Sequence, residues 1–203
     1  MCMDPSVMTP VDWKKALPTL VSRQVALREL SLSDLAPLIE LLSLPDATRF
    51  GVEDADVDVA ARQIIERASR ERAAGLSATF AITIASSRAV AGVIYARQLD
   101  PAFEAAECDG AILPAHRGGG VFVESARLVG SFLFGSLGTH RIEVRVPLQA
   151  GRSNGALKKL GAVQEGVLRR ALRRGDRYVD QVLWSMLKED WGDHWVPVAQ
   201  RVH

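Results

Sequence analysis

The first residues whose types suggest chemistry are three consecutive glycines, Gly118 to Gly120. They follow a short apolar run typical of a strand and open a segment with helical spacing, 122–138. Unpaired N–H groups and the positive end of the dipole at a helix start attract anions, and glycines let a phosphate approach those amides closely. The alternative is a tight turn whose glycine caps the helix. The triplet by itself leaves both interpretations open.

Two familiar nucleotide motifs do not account for these glycines. A Walker A loop requires GxxxxGK[ST], which does not occur here. The dinucleotide pattern GxGxxG matches Gly118 and Gly120 but finds Val123 in place of its third glycine.

A second short pattern, GRSNG at 151–155, matches the nucleophile elbow GxSxG of α/β-hydrolases. That fold also needs an acid, a histidine and several strands after the elbow. Only His194 and His203 follow, in a tail rich in tryptophan, and only two strands are predicted there. We therefore set the hydrolase interpretation aside.

Composition narrows the class of protein. The chain has 203 residues, 48% of them hydrophobic, and its 25 basic side chains nearly balance 24 acidic ones. This balance argues against nucleic acid or an anionic membrane as a partner. Two cysteines, Cys2 and Cys108, cannot form a disulfide framework, and no signal peptide or membrane span is evident, so we expect a soluble cytoplasmic protein. The four histidines and Cys108 lack metal-ligand spacing, so we expect no metal.

The pattern of elements predicts a mixed α/β domain. After an irregular arm, 1–20, the single domain 21–203 follows the order β-α-α-β-β-β-α-β-α-β-β. Strands are predicted at 25–30, 79–86, 89–99, 104–113, 141–148 and in both halves of a hairpin over 163–187; helices are predicted at 31–43, 58–75, 122–138 and 153–161. Ser33 or Asp34 is expected to cap the first helix and Gly75 to end the second.

This order, with the segments 113–146 and 152–191, closely resembles the GNAT family of N-acetyltransferases, and most of all its ribosomal-protein N-terminal (RimJ/RimL-like) branch. The resemblance spans about 21–192. The family signature Gln/Arg-x-x-Gly-x-Gly/Ala, which cradles the coenzyme A pyrophosphate, falls on 115–120. Its two essential glycines match Gly118 and Gly120, whereas Ala115 replaces the usual first residue and Arg117 stands nearby as a substitute. A branch-specific block matches at 160–162 and 165–169.

The resemblance implies the GNAT fold, a mixed central sheet whose parallel strands 4 and 5 splay apart and are flanked by helices. Acetyl-CoA would lie between those strands, here 107–113 and 141–147, and pass its acetyl group directly to an amine. Backbone amides near Ile112 and Leu113 would pair with the pantetheine arm. The expected cofactor-binding residues are Ile112, Leu113, Arg117, Gly118, Gly119, Gly120, Val121, Ser153 and Asn154.

The same resemblance suggests catalytic residues, each with a plainer alternative. Glu143 would be the base, unless it is a solvent-facing strand residue paired with Arg141 or Arg145. Glu107 is a second candidate for the base. Ser153 would protonate the departing thiolate, although it or Asn154 could instead cap the helix that follows.

Three departures from the family thin the acid–base set, namely Ala150, Leu157 and Leu172 where relatives carry asparagine, tyrosine or glutamate. A non-catalytic acyl-CoA-binding or sensing protein is therefore the rival interpretation. The expected acceptors are a protein N-terminus or a small amine, including antibiotics, and relatives often form homodimers. The arginines of the last hairpin are interpreted as a solvated surface in preference to a substrate contact.

Overall fold

A computed structural model describes residues 12–44 and 56–196 of the chain. Strands cover Leu20–Val21 (β1), Val25–Glu29 (β2), Ser77–Ile84 (β3), Val90–Gln98 (β4), Ala105–Ile112 (β5), Arg141–Pro147 (β6), Val163–Arg174 (β7) and Arg177–Leu187 (β8). The α-helices are Leu35–Leu42 (α1), Val57–Ala74 (α2), Val121–Phe132 (α3) and Gly151–Lys159 (α4). A π-helical turn, Leu133–Leu137, extends α3. The predicted order of elements is confirmed, with β1 as an addition.

The strands of the described part form one sheet in the order β1-β2-β3-β4-β5-β6-β8-β7. Every neighbouring pair is antiparallel except β5 and β6. Those two run parallel but pair only from Ala105 with Arg141 to Glu107 with Glu143. Beyond these residues the strands diverge, so the predicted splayed parallel pair is present as β5 and β6.

Helices cover both faces of the sheet, because successive strand residues point to opposite sides. On one face α3 and α4 pack over residues such as Phe80, Ile94 and Ile142. On the other, α1 and α2 pack over Ala81, Val93 and Leu113. The sheet is therefore the middle of three layers, and the gap between β5 and β6 lies near its centre.

The helix ends follow local sequence with one difference. Gly75 ends α2 at φ +77°, and the Asp56 carboxylate accepts hydrogen bonds from the first-turn amides at its start. At α1 Asp34 is the N-cap, one of the two residues predicted, but its side chain makes no cap hydrogen bond to that helix, because it forms a capping box with Ser31 around the preceding 3-10 turn. Asp34 is further held by Arg28, with Nη2 to Oδ1 at 2.6 Å.

The described residues of the predicted arm belong partly to the packed domain. Residues 1–11, including Cys2, lie outside the described part, as do 197–203, including His203. Leu17 and Leu20 are buried in the main core, and Trp13 packs edge-on against Phe103 with ring centroids 5.6 Å apart. The packed domain thus begins before the predicted boundary at residue 21. No helix of the described part is long and apolar enough to cross a membrane.

Trp191 anchors the end of the chain on α3. Its side chain is 1% exposed, its ring lies 5.2 Å from that of Phe134, and its Nε1 donates to Ser131 Oγ at 3.2 Å. A methyl group at Gly130 would stand only 2.4 Å from this ring. Helix α3 therefore carries a glycine here because the indole occupies the space of a side chain.

Replacing Trp191 by Ala should lower the free energy of unfolding by about 3–5 kcal/mol, since it leaves a large buried cavity. Urea unfolding followed by circular dichroism measures this loss. Trp195, which is 45% exposed, is the matched control, and Trp195→Ala should change stability by less than about 1 kcal/mol. Equal losses in the two variants would contradict the anchoring role.

Candidate active site

A cavity of about 1110 Å³ opens where β5 and β6 diverge. It runs from the glycine loop along the start of α3 to the turn between β6 and α4, and the β7–β8 hairpin closes one side. The wall that holds the candidate binding residues comprises Gly110, Ile112, His116, Arg117, Gly118, Gly120, Val121, Val123, Val144, Val146, Gly151, Arg152, Ser153 and Lys159. We call this space the donor cavity. Its volume suits a ligand larger than most metabolites.

The glycine loop has the conformation of an anion-binding turn. Gly118 and Gly120 take φ values of +90° and +83°, a region that side chains disfavour, whereas Gly119 does not. A Cβ at Gly118 would meet no atom within 4 Å, so that position faces open space in the donor cavity. Gly120 is the N-cap of α3 and supplies no side-chain cap. The first amides of α3 are thus left for a ligand.

Gln24, at the turn before β2, holds this loop from outside the motif. Its Nε2 donates to the Gly119 carbonyl at 2.8 Å, and its backbone N–H donates to Glu124 Oε1 at 3.4 Å. The loop is therefore tied to the sheet and to the first turn of α3. Sequence reasoning did not find Gln24, because it lies almost a hundred residues from the motif.

The two strand amides predicted to meet the pantetheine arm differ. Leu113 N donates to Ala91 O at 2.8 Å, and the residue is buried under α1 and α2. Ile112 lies opposite Gly92, and amides alternate in direction along an antiparallel ladder. Its N–H consequently points away from β4, toward the splayed side. The predicted contact therefore stays a prediction for the Ile112 amide and is wrong for the Leu113 amide, which is already bonded to β4.

Cationic side chains line the donor cavity at both ends of the glycine loop. Arg117 is anchored by its Nε, which donates to Ile112 O at 2.8 Å. His116 lies beside it, and Arg152 and Lys159 extend from α4 on the opposite wall. Such a distribution suits a ligand with several phosphates. Arg152 and Lys159 were not predicted, because only the fold brings α4 to the loop.

The turn from β6 to α4 places Ser153 at the donor cavity, in keeping with its predicted role, but directs Asn154 elsewhere. Helix α4 begins at Gly151 with Ala150 as its N-cap, so neither residue is a capping residue. Ser153 lines the donor cavity. Asn154 instead donates through Nδ2 to the carbonyls of Pro147 and Ala150 at 3.1 Å, and accepts from Trp184 Nε1 at 2.9 Å. Asn154 therefore shapes the turn and does not line the donor cavity.

A second cavity of about 380 Å³ lies on the α2 face of the sheet. We call it the acceptor-side cavity. It shares four residues with the donor cavity, namely Asp109, Val146, Pro147 and Arg174. The two spaces thus meet through the gap between β5 and β6.

The predicted bases Glu107 and Glu143 are both engaged by arginines. Glu107 lines the acceptor-side cavity and accepts from Arg97 Nε at 2.8 Å and Nη2 at 2.5 Å. Glu143 lines neither cavity and accepts from Arg141 Nε at 3.1 Å, with Arg145 Nη2 at 3.6 Å. The plainer alternative for Glu143, a strand residue paired with Arg141 and Arg145, is what the structure shows.

Asp109, which was not among the predicted site residues, lies where the two cavities meet. It lines both cavities, and its Oδ1 accepts from Gly110 N at 2.7 Å. It lies directly opposite Tyr95 on β4. Burial, and then the carboxylates of Asp109 and Glu107, raise the pKa of the Tyr95 phenol, which therefore stays protonated.

Cys108, beside Asp109, is not a nucleophile. Its thiol is buried, and burial, followed by the charges of Asp109 and Glu107, raises its pKa far above neutrality. The thiolate is the reactive form of cysteine. The environment of Cys108 thus argues against a covalent acyl-cysteine.

The block at Glu165 and Gly166 is structural. The pairing of β7 with β8 shifts between Gln164 and Gly166, which leaves Glu165 out of register. Its carboxylate accepts from Arg141 at 2.7 and 2.5 Å and from Ser185 Oγ at 2.7 Å, and these bonds lower the pKa of Glu165 to about 2. The block therefore locks the hairpin onto β6.

The arginines of this hairpin divide into two groups. Arg169, Arg170, Arg173 and Arg177 are exposed, as predicted, whereas Arg174 lines both cavities. Within 12–44 and 56–196, no three histidine, cysteine or acidic residues are grouped so that they could hold a metal ion.

Comparison with known proteins accords with this geometry. A family model described as acetyltransferase (GNAT) domain matches residues 24–163. The uncharacterized N-acetyltransferase p20 of Bacillus licheniformis is 26% identical over 174 residues, which are 85% of this chain and 98% of that protein. Two crystal structures share the fold. A GNAT-family acetyltransferase of Bacillus anthracis has a TM-score of 0.74 and 17% identity, covering 84% of this chain and 99% of its own. Mycobacterium smegmatis RimJ, in complex with CoA-disulfide, has a TM-score of 0.72 and 20% identity, covering 86% and 88%.

Proposed function

The chain belongs to the GNAT acetyltransferase family, and we propose from this premise that it transfers the acetyl group of acetyl-CoA to a primary amine. The observation that carries the proposal is the meeting of two cavities at one gap in the sheet. The glycine loop lies along the larger cavity, and Asp109 lines both. A donor and an acceptor can therefore approach from opposite faces and react at that gap.

The donor cavity fits coenzyme A by its chemistry. Gly118, Gly120 and the first turn of α3 offer backbone amides to the pyrophosphate, and Arg117, Arg152 and Lys159 offer positive charge to the phosphates. The Ile112 amide would serve the pantetheine arm. RimJ of Mycobacterium smegmatis shares the fold and holds a CoA-disulfide. Acetyl-CoA supplies an acetyl thioester, and no metal is proposed.

Transfer requires a neutral amine, because an ammonium group has no electron pair for attack. We assign proton acceptance to Asp109 in place of Glu107 and Glu143, since Asp109 is the acid of the described residues that lines both cavities. The amine nitrogen bonds to the acetyl carbon as the carbon–sulfur bond breaks. Asp109 takes the proton that the attacking nitrogen releases, and the leaving thiolate takes a proton from a hydroxyl group. Solvent then returns the proton from Asp109 to that hydroxyl oxygen, so the enzyme is regenerated.

Ser153 is the hydroxyl we propose for the thiolate, as it lines the donor cavity on α4. Replacing Ser153 by Ala should lower kcat by about 100-fold, the lower end of the range for a lost proton donor. The affinity for acetyl-CoA should remain within about threefold of wild type, since the serine contributes one hydrogen bond at most. Thiol-release kinetics and calorimetry measure the two quantities. A parallel loss of affinity and rate would instead mark Ser153 as a binding residue.

Because several acid–base residues of the family are missing here, a protein that binds acyl-CoA without catalysing transfer is the second candidate function. Leu157 lines the donor cavity and Leu172 the acceptor-side cavity, where relatives place a proton donor or a glutamate. The chemistry would then depend on Asp109 and Ser153. An acyl-CoA-binding protein without turnover is the second outcome.

The test measures binding and turnover separately. Calorimetry should detect acetyl-CoA binding, and a thiol reagent should detect free CoA only when an amine is present. The amine panel contains peptides with free N-termini, matched peptides with acetylated N-termini, and small primary amines. Binding without thiol release on any amine would favour the sensing role. The resemblance to the ribosomal-protein branch predicts peptide acceptors. A homodimer also stays a prediction, and analytical ultracentrifugation would test it.

A further inference from the structure

The acceptor-side cavity carries a charge pattern that points to a class of acceptor. Its walls come from α2, from β3 to β6 and from the β7–β8 hairpin. They carry four arginines, Arg67, Arg97, Arg145 and Arg174, and three acids, Glu71, Glu107 and Asp109. A solely cationic acceptor would meet an excess of positive charge there.

The arginines of this cavity differ in how closely carboxylates contact them. Arg97 makes a short two-nitrogen contact with one oxygen of Glu107. The Arg145 guanidinium has ion pairs with Glu107 and Glu143, both at 3.6 Å, and this side chain makes no hydrogen bond within the part of the chain that the structure describes. Its side chain is 40% exposed. Arg67 contacts Glu71 only at 3.9 Å. Arg145 and Arg67 thus retain N–H donors for an anion.

The Asp109 carboxylate, at the meeting of the two cavities, favours a cationic group over an anionic one. Asp109 lies where the acceptor-side cavity opens into the donor cavity, two residues beyond Glu107, at which the parallel pairing of β5 with β6 ends. An incoming ammonium group is attracted to this carboxylate, and an anionic group is repelled from it. The cavity therefore separates a site for an amine, at the gap, from a site for an anion, near Arg145.

We propose that the acceptor is a small molecule with a primary amine at one end and a carboxylate, phosphate or sulfonate at the other. The anion binds Arg145, with Arg67 on the facing wall, and the amine is directed to Asp109. The volume of about 380 Å³ lies at the low end of the range for small-molecule sites and favours such a molecule over a folded protein. This inference rests on the proposed acetyl transfer.

The test uses amines that differ in one end group. O-Phosphorylethanolamine, β-alanine and taurine present the three anions, ethanolamine is neutral, and 1,3-diaminopropane is a dication. Wild-type kcat/KM from thiol release should be at least about tenfold higher for the best anionic amine than for ethanolamine, and lowest for the diamine. The ranking of the three anions identifies which one fits.

Arg145→Gln should reduce kcat/KM for the best anionic amine by about 10- to 100-fold and leave ethanolamine within about threefold. Arg169→Gln is the matched control, because it removes the same charge from an exposed residue of β7 outside both cavities. Calorimetry of O-phosphorylethanolamine, β-alanine and taurine with the CoA complex measures the same difference without turnover.

The two failures are distinguishable. If no amine releases thiol but Arg145→Gln weakens binding of an anionic amine, the proposed transfer fails and the anion site stands. If amines are acetylated with no preference for an anionic end, or if Arg145→Gln and Arg169→Gln behave alike, the inference is overturned and the transfer stands. Faster acetylation of peptides than of every small amine would also overturn it.

Discussion

Replacing Gly118 by Asp should weaken acetyl-CoA binding by at least about 100-fold, because each hydrogen bond to a charged group is worth about 1.5–3 kcal/mol and the pyrophosphate would lose several. The position faces open space in the donor cavity, so an added carboxylate would occupy the place proposed for the phosphate. It would also repel the anion and compete for the first amides of α3. Calorimetry with acetyl-CoA and with CoA measures the loss.

Gly138→Asp is the matched control for this result. Gly138 has a φ of +77°, close to the +90° of Gly118, and a Cβ there would likewise meet no atom within 4 Å. It ends the π-helical turn after α3 and lines neither cavity. Both variants should lose similar thermal stability, but Gly138→Asp should bind acetyl-CoA as wild type does. Unchanged affinity in Gly118→Asp would refute the phosphate cradle.

Replacing Asp109 by Asn should lower kcat by about 10²–10⁴-fold, the usual contribution of a general base. The amide keeps nearly the same shape, and its oxygen can still accept from Gly110 N, as the carboxylate does at 2.7 Å. The capacity to take a proton is lost, together with the negative charge of the carboxylate. The affinity for acetyl-CoA should therefore stay within about threefold, since little binding energy depends on that proton. Single-turnover thiol release with saturating donor isolates the chemical step.

Glu143→Gln provides the comparison for Asp109→Asn. Its carboxylate pairs with Arg141 and Arg145 and lines neither cavity, so turnover should fall by less than about threefold. A loss in Glu143→Gln as large as that in Asp109→Asn would return the base to β6. Wild-type rates in Asp109→Asn would remove Asp109 from the mechanism and leave water as the proton acceptor.

The glycine loop shows how far local sequence can predict a site. Two positions of the triplet match a signature that requires a backbone conformation disfavoured by side chains, and those two, Gly118 and Gly120, are the ones with positive φ. Gly119 differs, as its position in the signature implies. Local sequence can indicate this conformation because backbone conformation and a free helix start are properties of consecutive residues, whereas phosphate binding by the loop stays a prediction.

The predicted catalytic residues show where local sequence stops being sufficient. Alternation along β6 correctly suggested that Glu143 might pair with Arg141 or Arg145, yet it could not decide between pairing and catalysis. The junction residue, Asp109, belongs to another strand and becomes distinctive only when the parallel pairing ends at Glu107. Asn154 was placed at the donor by its position in the chain, but Trp184 and the carbonyls before α4 engage its amide.

The sequence by itself determined the order of the strands and helices, because this follows from periodicity. Through the glycine motif and the resemblance to the GNAT family it also indicated the family and the splayed strand pair, and it predicted the phosphate-binding loop. Only the tertiary structure decided which acid lies at the meeting of the two cavities, which arginines retain donors, and that Leu113 and Asn154 have structural tasks. Those properties arise from side chains on different strands and helices, and their distances are set by how the sheet twists and diverges.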